Sequence, residues 1–551
     1  MKRKSALLLL SLILVVSVFM IGCSAENASK NANTSEVDKN NKGAPSSMPD
    51  RPFTFISQQI VETIDPAKHT DETSSMVIVN MYDSLVYPRV DQKSLEPGPN
   101  IAESWEVSDD GLTYTFKIKE GIFFHSGNEL TADDVAFSMK RALALQQGNS
   151  WMWSDVLESE GVSAVDNYTV EFKLKKPYAP FVSTLAQLFV VDSKLIMENL
   201  EDGEFGEFGD YGQAFLENNT AGSGPYKLEK WERGSEVQLV RFDEYWKGWE
   251  DNQIKEVRVM IVGEESTAKT MLSAGEVDMV NQWLSTETYS DLAEVNGVTV
   301  TESVDTSIFH IPLNTQKPPL DDINVRKAIV HAFDYETATK EIMNGAQQAR
   351  GPVSSEIPGH NPESTQYHRD LELAKEYLSK SKYAGEELDV DFMFIGEFPQ
   401  HRQFATLLQN NLQEIGIKVN LKPDTWANIM EATSSLNTSP HMIIVSAGLR
   451  YPHVDAHTYG MYHSSVHGSY LSASWYDNSE VDEILEGARN AVDEDEQMKN
   501  YMEAQKIITD DAVSIYIANP THRIAYRDWV KDYYHVGILG FDLNFYYLKL
   551  E

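Results

Sequence analysis

The eighteen residues RYPHVDAHTYGMYHSSVH, from Arg450 to His467, hold four of the chain's fourteen histidines together with Arg450, Asp455 and three tyrosines. Imidazoles and a carboxylate at this density are the ingredients of a metal centre or a general base. His453 and His457 stand four apart and would share a face of a helix, with Asp455 as a further ligand. The longer gap to His463 and the lack of a His-Glu-x-x-His motif speak against a zinc hydrolase. The alternative is that these histidines are neutral hydrogen-bonding residues. The interleaved tyrosines, beginning with Tyr451, suggest a wall against which a flat or flexible molecule packs.

The elements that must position such a site belong to a large protein. At 551 residues, 42% of them hydrophobic, the chain exceeds one core and fits two lobes or three domains. The formal charge of −38, from 84 acidic against 46 basic residues, repels phosphate backbones and anionic lipid headgroups. Nucleic acid and a basic membrane-binding face are therefore excluded as expectations.

The sole cysteine, Cys23, closes the segment MKRKSALLLLSLILVVSVFMIGC. Lys2, Arg3 and Lys4 form a basic start, Ala6 to Ile21 an apolar run, and Met20-Ile21-Gly22-Cys23 is similar to a bacterial lipobox. The run is shorter than a comfortable ~20-residue span, so cleavage before Cys23 is expected rather than a retained helix. Cys23 would then carry lipid, which leaves no disulfide and no metal thiolate in the mature chain. Residues 24–50 are rich in Asn, Ser and Lys and cannot bury enough surface to fold. They read as a tether, with residues 1–22 as the signal peptide and the body on the extracytoplasmic face.

Within the body, Thr113 to Lys119 alternates Tyr114, Phe116 and Ile118 against polar residues, the pattern of a half-buried strand. Thr131-Ala-Asp-Asp134 is a capping box for a helix with Val135, Met139, Ala142 and Leu143 on its buried stripe. After about Thr306 the order is strand Phe392–Ile395, a helix from Phe404 to Gly416, strand Ile417–Leu421, a helix near Trp426 and strand Met442–Val445. That βαβαβ alternation predicts an α/β lobe with its own sheet. Gly and Pro clusters at 96–100, 221–225, 316–319 and 351–362 mark breaks between units.

The stretch NIAESWEVSDDGLTYTFKIKEGIFFHSGNELTADDVAFSMKRAL, Asn100 to Leu143, resembles the signature of bacterial family 5 solute-binding proteins, the peptide and nickel receptors of ABC importers. The likeness continues in register through AGSGPYKLEKWERGSEVQLVRFDEYWKG at 221–248, MLSAGEVDMV at 271–280 and LNTQKPPLDDINVRKAIVHAFD at 313–334. It extends to LELAKEYL at 371–378 and SEVDEILEGARNAVDEDE at 479–496. One departure is Phe242-Asp243, where the family usually has Asn-Pro.

The resemblance implies an α/β, two-lobe periplasmic-binding-protein-like fold of class II, hinged on two crossing strands. It implies lobe I over 51–308 with an extra domain inserted at about 82–217, lobe II over 309–514, and a segment 515–551 returning to lobe I. Such a protein closes over a small-molecule solute and presents it to an ABC permease, as a monomer, without cofactor or catalysis.

The family likeness also places the opening stretch. In peptide-binding relatives the strand ending near Val445 leads to an aspartate that pairs with the peptide's amino group, whereas this chain reads Ser446-Ala-Gly-Leu-Arg450. A buried cation there repels an ammonium. The expected solute is not an ordinary peptide held by its amine at that point. Arg450 is instead expected to fork onto a carboxylate or phosphate-like group, or to pair internally with Asp455. Tyr451, His453 and Asp455 join it as binding candidates. By position in relatives, Arg350 is a second anion candidate, His69 a cleft candidate, and Trp283 and Trp426 stacking walls. A nickel-chelate receptor of the same fold, an extracytoplasmic hydrolase and a receptor for a signal molecule are the alternatives.

Overall fold

The computed structural model describes residues 50–88, 97–344, 346–491, 493–535 and 543–551. The signal segment, Cys23 and nearly all of the tether lie outside the described residues. No helix among the described residues is long and apolar enough to cross a membrane.

Two sheet systems organise the chain. The first has seven strands in the order Val298–Val304, Thr521–Arg527, Met279–Val280, Phe53–Ser57, Glu256–Ile261, Glu236–Arg241 and Tyr226–Glu232. Its central strand Phe53–Ser57 is buried throughout and runs parallel to both neighbours. The second system pairs a four-stranded sheet, in the order Gln347–Gln348, Ser514–Asn519, Ile308–Pro312 and Val445–Ala447, with a parallel sheet of Ile417–Asp424, Leu388–Ile395 and Met442–Ile443. The fold is thus two-lobed and mixed α/β.

The chain crosses between the systems twice. Asp305–Ser307 joins strand Val298–Val304 to strand Ile308–Pro312, and Pro520 joins Ser514–Asn519 to Thr521–Arg527. The crossings are neighbours, since Val304 pairs with Thr521 on one side and Phe309 with Ala518 on the other.

A further antiparallel sheet, Ala102–Val107, Thr113–Ile118, Thr169–Lys173 and Val162–Asp166, lies between the first strand and the rest of the seven-stranded sheet in sequence. Tyr114, Phe116 and Ile118 are buried as their alternation predicts. The helix Ala132–Leu145 starts at Thr131, whose N–H donates to Asp134 Oδ2 at 2.8 Å. Arg141 from this helix reaches back to Asp65, with Nη1 and Nη2 donating at 2.7 and 2.6 Å to its two oxygens. Both side chains are almost wholly buried.

One element departs from the sequence reading. The apolar run Met442–Val445 is not a single strand: Met442–Ile443 pairs with Leu388–Ile395, whereas Val445–Ala447 pairs with Ile308–His310 in the other sheet. Ile444 is where the chain changes sheets. The helix foreseen over 404–416 begins earlier, at Pro399, a residue suited to a first helical turn, and ends at Gln413 before Gly416 at φ +83°.

Two outcomes follow from these buried polar groups. Arg141→Ala strands the Asp65 carboxylate and should cost about 3–5 kcal/mol in urea unfolding, with Arg141→Lys recovering only part because the bidentate fork is lost. His310, whose Nδ1 lies 2.8 Å from the Ser514 hydroxyl, is pushed down to about 3 by burial. The unfolded chain protonates first, so this group's contribution is complete above about pH 6.5 and is lost as the pH falls toward 3. The decline in urea midpoint between pH 6.5 and 4.5 should be shallower in His310→Gln than in wild type.

Candidate functional site

A cavity of about 100 Å³ lies where the two sheet systems meet. One wall comes from the first turn of helix Glu72–Met81 and from Trp283, the other from Ile444–Gly448, Arg450 and the start of helix Pro399–Gln413. A second compartment of about 60 Å³ adjoins it, and Trp283, Asp305, Phe398, His401 and Ser446 line both. The sheet change at Ile444 brings the backbone of 444–448 to this wall.

Arg450 is half-buried at one end. Its Nη2 donates to the Thr70 carbonyl at 2.6 Å and to the Tyr470 hydroxyl, and the guanidinium lies 5.8 Å from the Tyr470 ring centre. Its own carbonyl accepts from Gln187 Nε2 at 2.7 Å. Nε and Nη1 have no protein acceptor among the described residues, so the fork keeps donors for a planar anionic group. The expected internal pairing with Asp455 is not formed: Asp455 pairs with Arg489 at 2.6 Å.

The walls between the poles are aromatic. Trp283 stacks on Phe398 with ring centres 5.0 Å apart at 12°, joining one lobe to the other. Trp426 meets Tyr470 edge-on at 4.7 Å. His401, in the first turn of its helix, is 3% exposed and packed against Phe309 and Phe398. Neither ring nitrogen has a partner among the described residues. Burial pushes its pKa down to about 3, so the ring is neutral and offers one donor and one acceptor.

Three carboxylates line the same cavity. Asp71 caps helix Glu72–Met81 by accepting from the Ser74 N–H at 2.7 Å, and burial raises its pKa above the usual range. Glu72 Oε1 accepts from Gln282 Nε2 at 2.5 Å. Asp305 Oδ1 accepts from the N–H and hydroxyl of Ser307 at 2.9 and 2.8 Å.

Of the residues singled out in the sequence, Arg450, Trp283 and Trp426 line this cavity. The others correct the sequence reading. His69 is buried behind it, its Nδ1 2.8 Å from the Ser75 hydroxyl and its ring against Phe189. Tyr451 is wholly buried and donates its hydroxyl to Asp455. Asp455 is fully enclosed, satisfied by Arg489, Tyr451 and Tyr501. His453 Nδ1 accepts from the Asp455 N–H at 3.2 Å. His453 precedes, and His457 ends, a short 3-10 turn, Val454–His457, so the α-helical face that would align their imidazoles does not exist. Among the described residues no group of three His, Cys, Asp or Glu side chains is placed to hold a metal ion. Arg350 is spent on the Ser364 carbonyl and Gln366 side chain, away from the cavity.

Sequence reasoning missed Asp71, Asp305, Phe398, His401 and Tyr470. Thr70 and Asp71, next to His69, line the cavity where His69 itself does not. Phe398-Pro399 carried a helix-start signal, whereas Asp305-Thr306-Ser307 reads as an ordinary turn.

The profile of bacterial extracellular solute-binding proteins, family 5 middle, matches residues 96–469. The chain is 29% identical over 477 residues to the probable D,D-dipeptide-binding periplasmic protein DdpA of Escherichia coli, covering 86% of this chain and 89% of that protein. It is 26% identical over 560 residues to the oligopeptide-binding protein AppA of Bacillus subtilis, covering 97% of each. The periplasmic binding protein DppA of Helicobacter pylori, solved with the peptide STSA, superposes with a TM-score of 0.80 at 24% identity, over 91% of this chain and 98% of that one. With the match spanning well over half of its length, the chain belongs to family 5 of the bacterial extracellular solute-binding proteins.

Proposed function

We propose that this protein is the lipid-anchored receptor of an ABC importer, capturing a small peptide-like or other anionic solute between its lobes and handing it to a membrane permease. The observation that carries this reading is the Arg450 fork, whose Nε and Nη1 have no acceptor among the described residues and which lines a cavity between the two sheet systems. A ligand that touches both lobes stabilises the closed form over the open one, and that difference in affinity drives closure without any catalytic group. A micromolar affinity corresponds to ~8 kcal/mol, within reach of one charge-assisted pair and aromatic walls such as Trp283 and Trp426.

The lobes are read as 51–308 with the inserted domain at about 82–217, then 309–514, with 515–551 returning to lobe I. Cys23 is read as the lipid attachment point and the protein as a monomer on the extracytoplasmic face. The nickel-chelate and hydrolase readings remain the alternatives; among the described residues no three His, Cys, Asp or Glu side chains are grouped to hold a metal ion.

Two measurements test this reading. Replacing Cys23 with Ala should release the protein from the membrane fraction; persistence in the detergent phase of a processed Cys23→Ala variant contradicts the anchor. Arg450→Ala should weaken calorimetric binding of the solute that copurifies with wild type by ~2–4 kcal/mol, since the desolvated anion loses its partner. Unchanged affinity refutes the anion fork.

A further inference from the structure

Asp305 sits in one of the two crossings between the lobes and lines both compartments of the cavity. It is 8% exposed. Both donors of Ser307 go to Oδ1, and Oδ2 receives no donor among the described residues. Because Asp305 lines the cavity, that oxygen is available to a donor or cation carried by a ligand.

An independent feature points to the same spot. His401, lining the same two compartments, has both ring nitrogens buried and without a partner among the described residues. A neutral imidazole can accept a hydrogen bond from a ligand N–H at one nitrogen and donate one to a ligand oxygen from the other. Two unsatisfied polar groups on the shared boundary, one from a crossing and one from a lobe II helix, describe a polar slot rather than a packed wall.

The charges across the cavity set the ligand class. Asp71, Glu72 and Asp305 line it against the single guanidinium of Arg450. A solute that is only an anion would satisfy Arg450 and bring no donor to Asp305 Oδ2. A solute that also carries a cationic group supplies that donor.

We propose that Asp305 is the cation-accepting pole of this cavity, so that the solute is a small zwitterion with its anionic group on Arg450 and an ammonium-type group on Asp305. The inference rests on the Arg450 reading above and adds the second pole. It differs from amine capture by an acid at position 450, because the amine is held by the crossing and not by the rim of lobe II.

The test is calorimetric titration of full-length protein, stripped of bound solute by unfolding and refolding. The probes are ω-amino acids of graded charge separation, from β-alanine to 6-aminohexanoate, and Ala-Ala, each with its N-acetyl and its carboxamide derivative. At least one zwitterion should bind wild type ten-fold or more tightly than its N-acetyl derivative. Asp305→Asn should abolish that preference while still favouring acid over carboxamide, and Asp305→Glu should retain part of the preference. Arg450→Gln should do the converse, losing the acid preference and keeping the amine preference. Circular dichroism and a urea midpoint for each variant establish that it is folded. Binding of N-acetylated probes as tightly as their free amines, an amine preference unchanged in Asp305→Asn, or no binding by any zwitterion overturns the proposal. A carboxamide bound as well as its acid overturns the Arg450 reading instead, independently of Asp305.

Discussion

Everything in this molecule depends on the chain passing between its two sheet systems twice through crossings that are hydrogen-bonded neighbours. Asp305–Ser307 and Pro520 lie between strands paired on both sides, Val304 with Thr521 and Phe309 with Ala518. Those pairings fix where the lobes face each other. They put residues of a connector, Asp305 and Ser307, directly against the cavity, where a loop in a single-lobe protein would face water.

Given that constraint, the polar groups divide by what they can satisfy locally. Asp455 collects Arg489, Tyr451 and Tyr501 inside one lobe, and Asp65 collects Arg141 across the first lobe and its four-stranded sheet. Such groups are closed and serve packing. Arg450, Asp305 and His401 are left partly open at the junction. The difference between structural and receptive polarity here is whether the local fold completes the hydrogen bonding.

Local order was legible in the sequence because it is decided by neighbours. Tyr114, Phe116 and Ile118 declare a strand face, Thr131 and Asp134 a helix start, and Gly416 the end of a helix region. The long family likeness supplied the two-lobe architecture. What stayed hidden is decided by partners distant in the chain. Met442–Val445 is one apolar run whose two halves pair with different sheets, and periodicity carries no information about which sheet receives a strand. His69 and His453 have the chemistry of site residues, but their nitrogens are occupied by Ser75 and by the Asp455 N–H. Asp305 resembles a turn residue until the crossing is seen. Arg450, which lines the cavity, stands out in the sequence because its charge is opposite to that of the residue the family likeness leads one to expect.

Arg450 also has a consequence for how the protein keeps its account of itself in order. Its guanidinium holds the Thr70 carbonyl near the chain's start and the Tyr470 hydroxyl near its end, while its carbonyl takes the Gln187 amide from between them. Three stretches separated by more than a hundred residues each must be in place at once for that side chain to hold its orientation. The arrangement works as a coincidence detector: a chain with any one of the three segments misplaced aims its cation elsewhere. The orientation of this guanidinium is thereby tied to completed assembly.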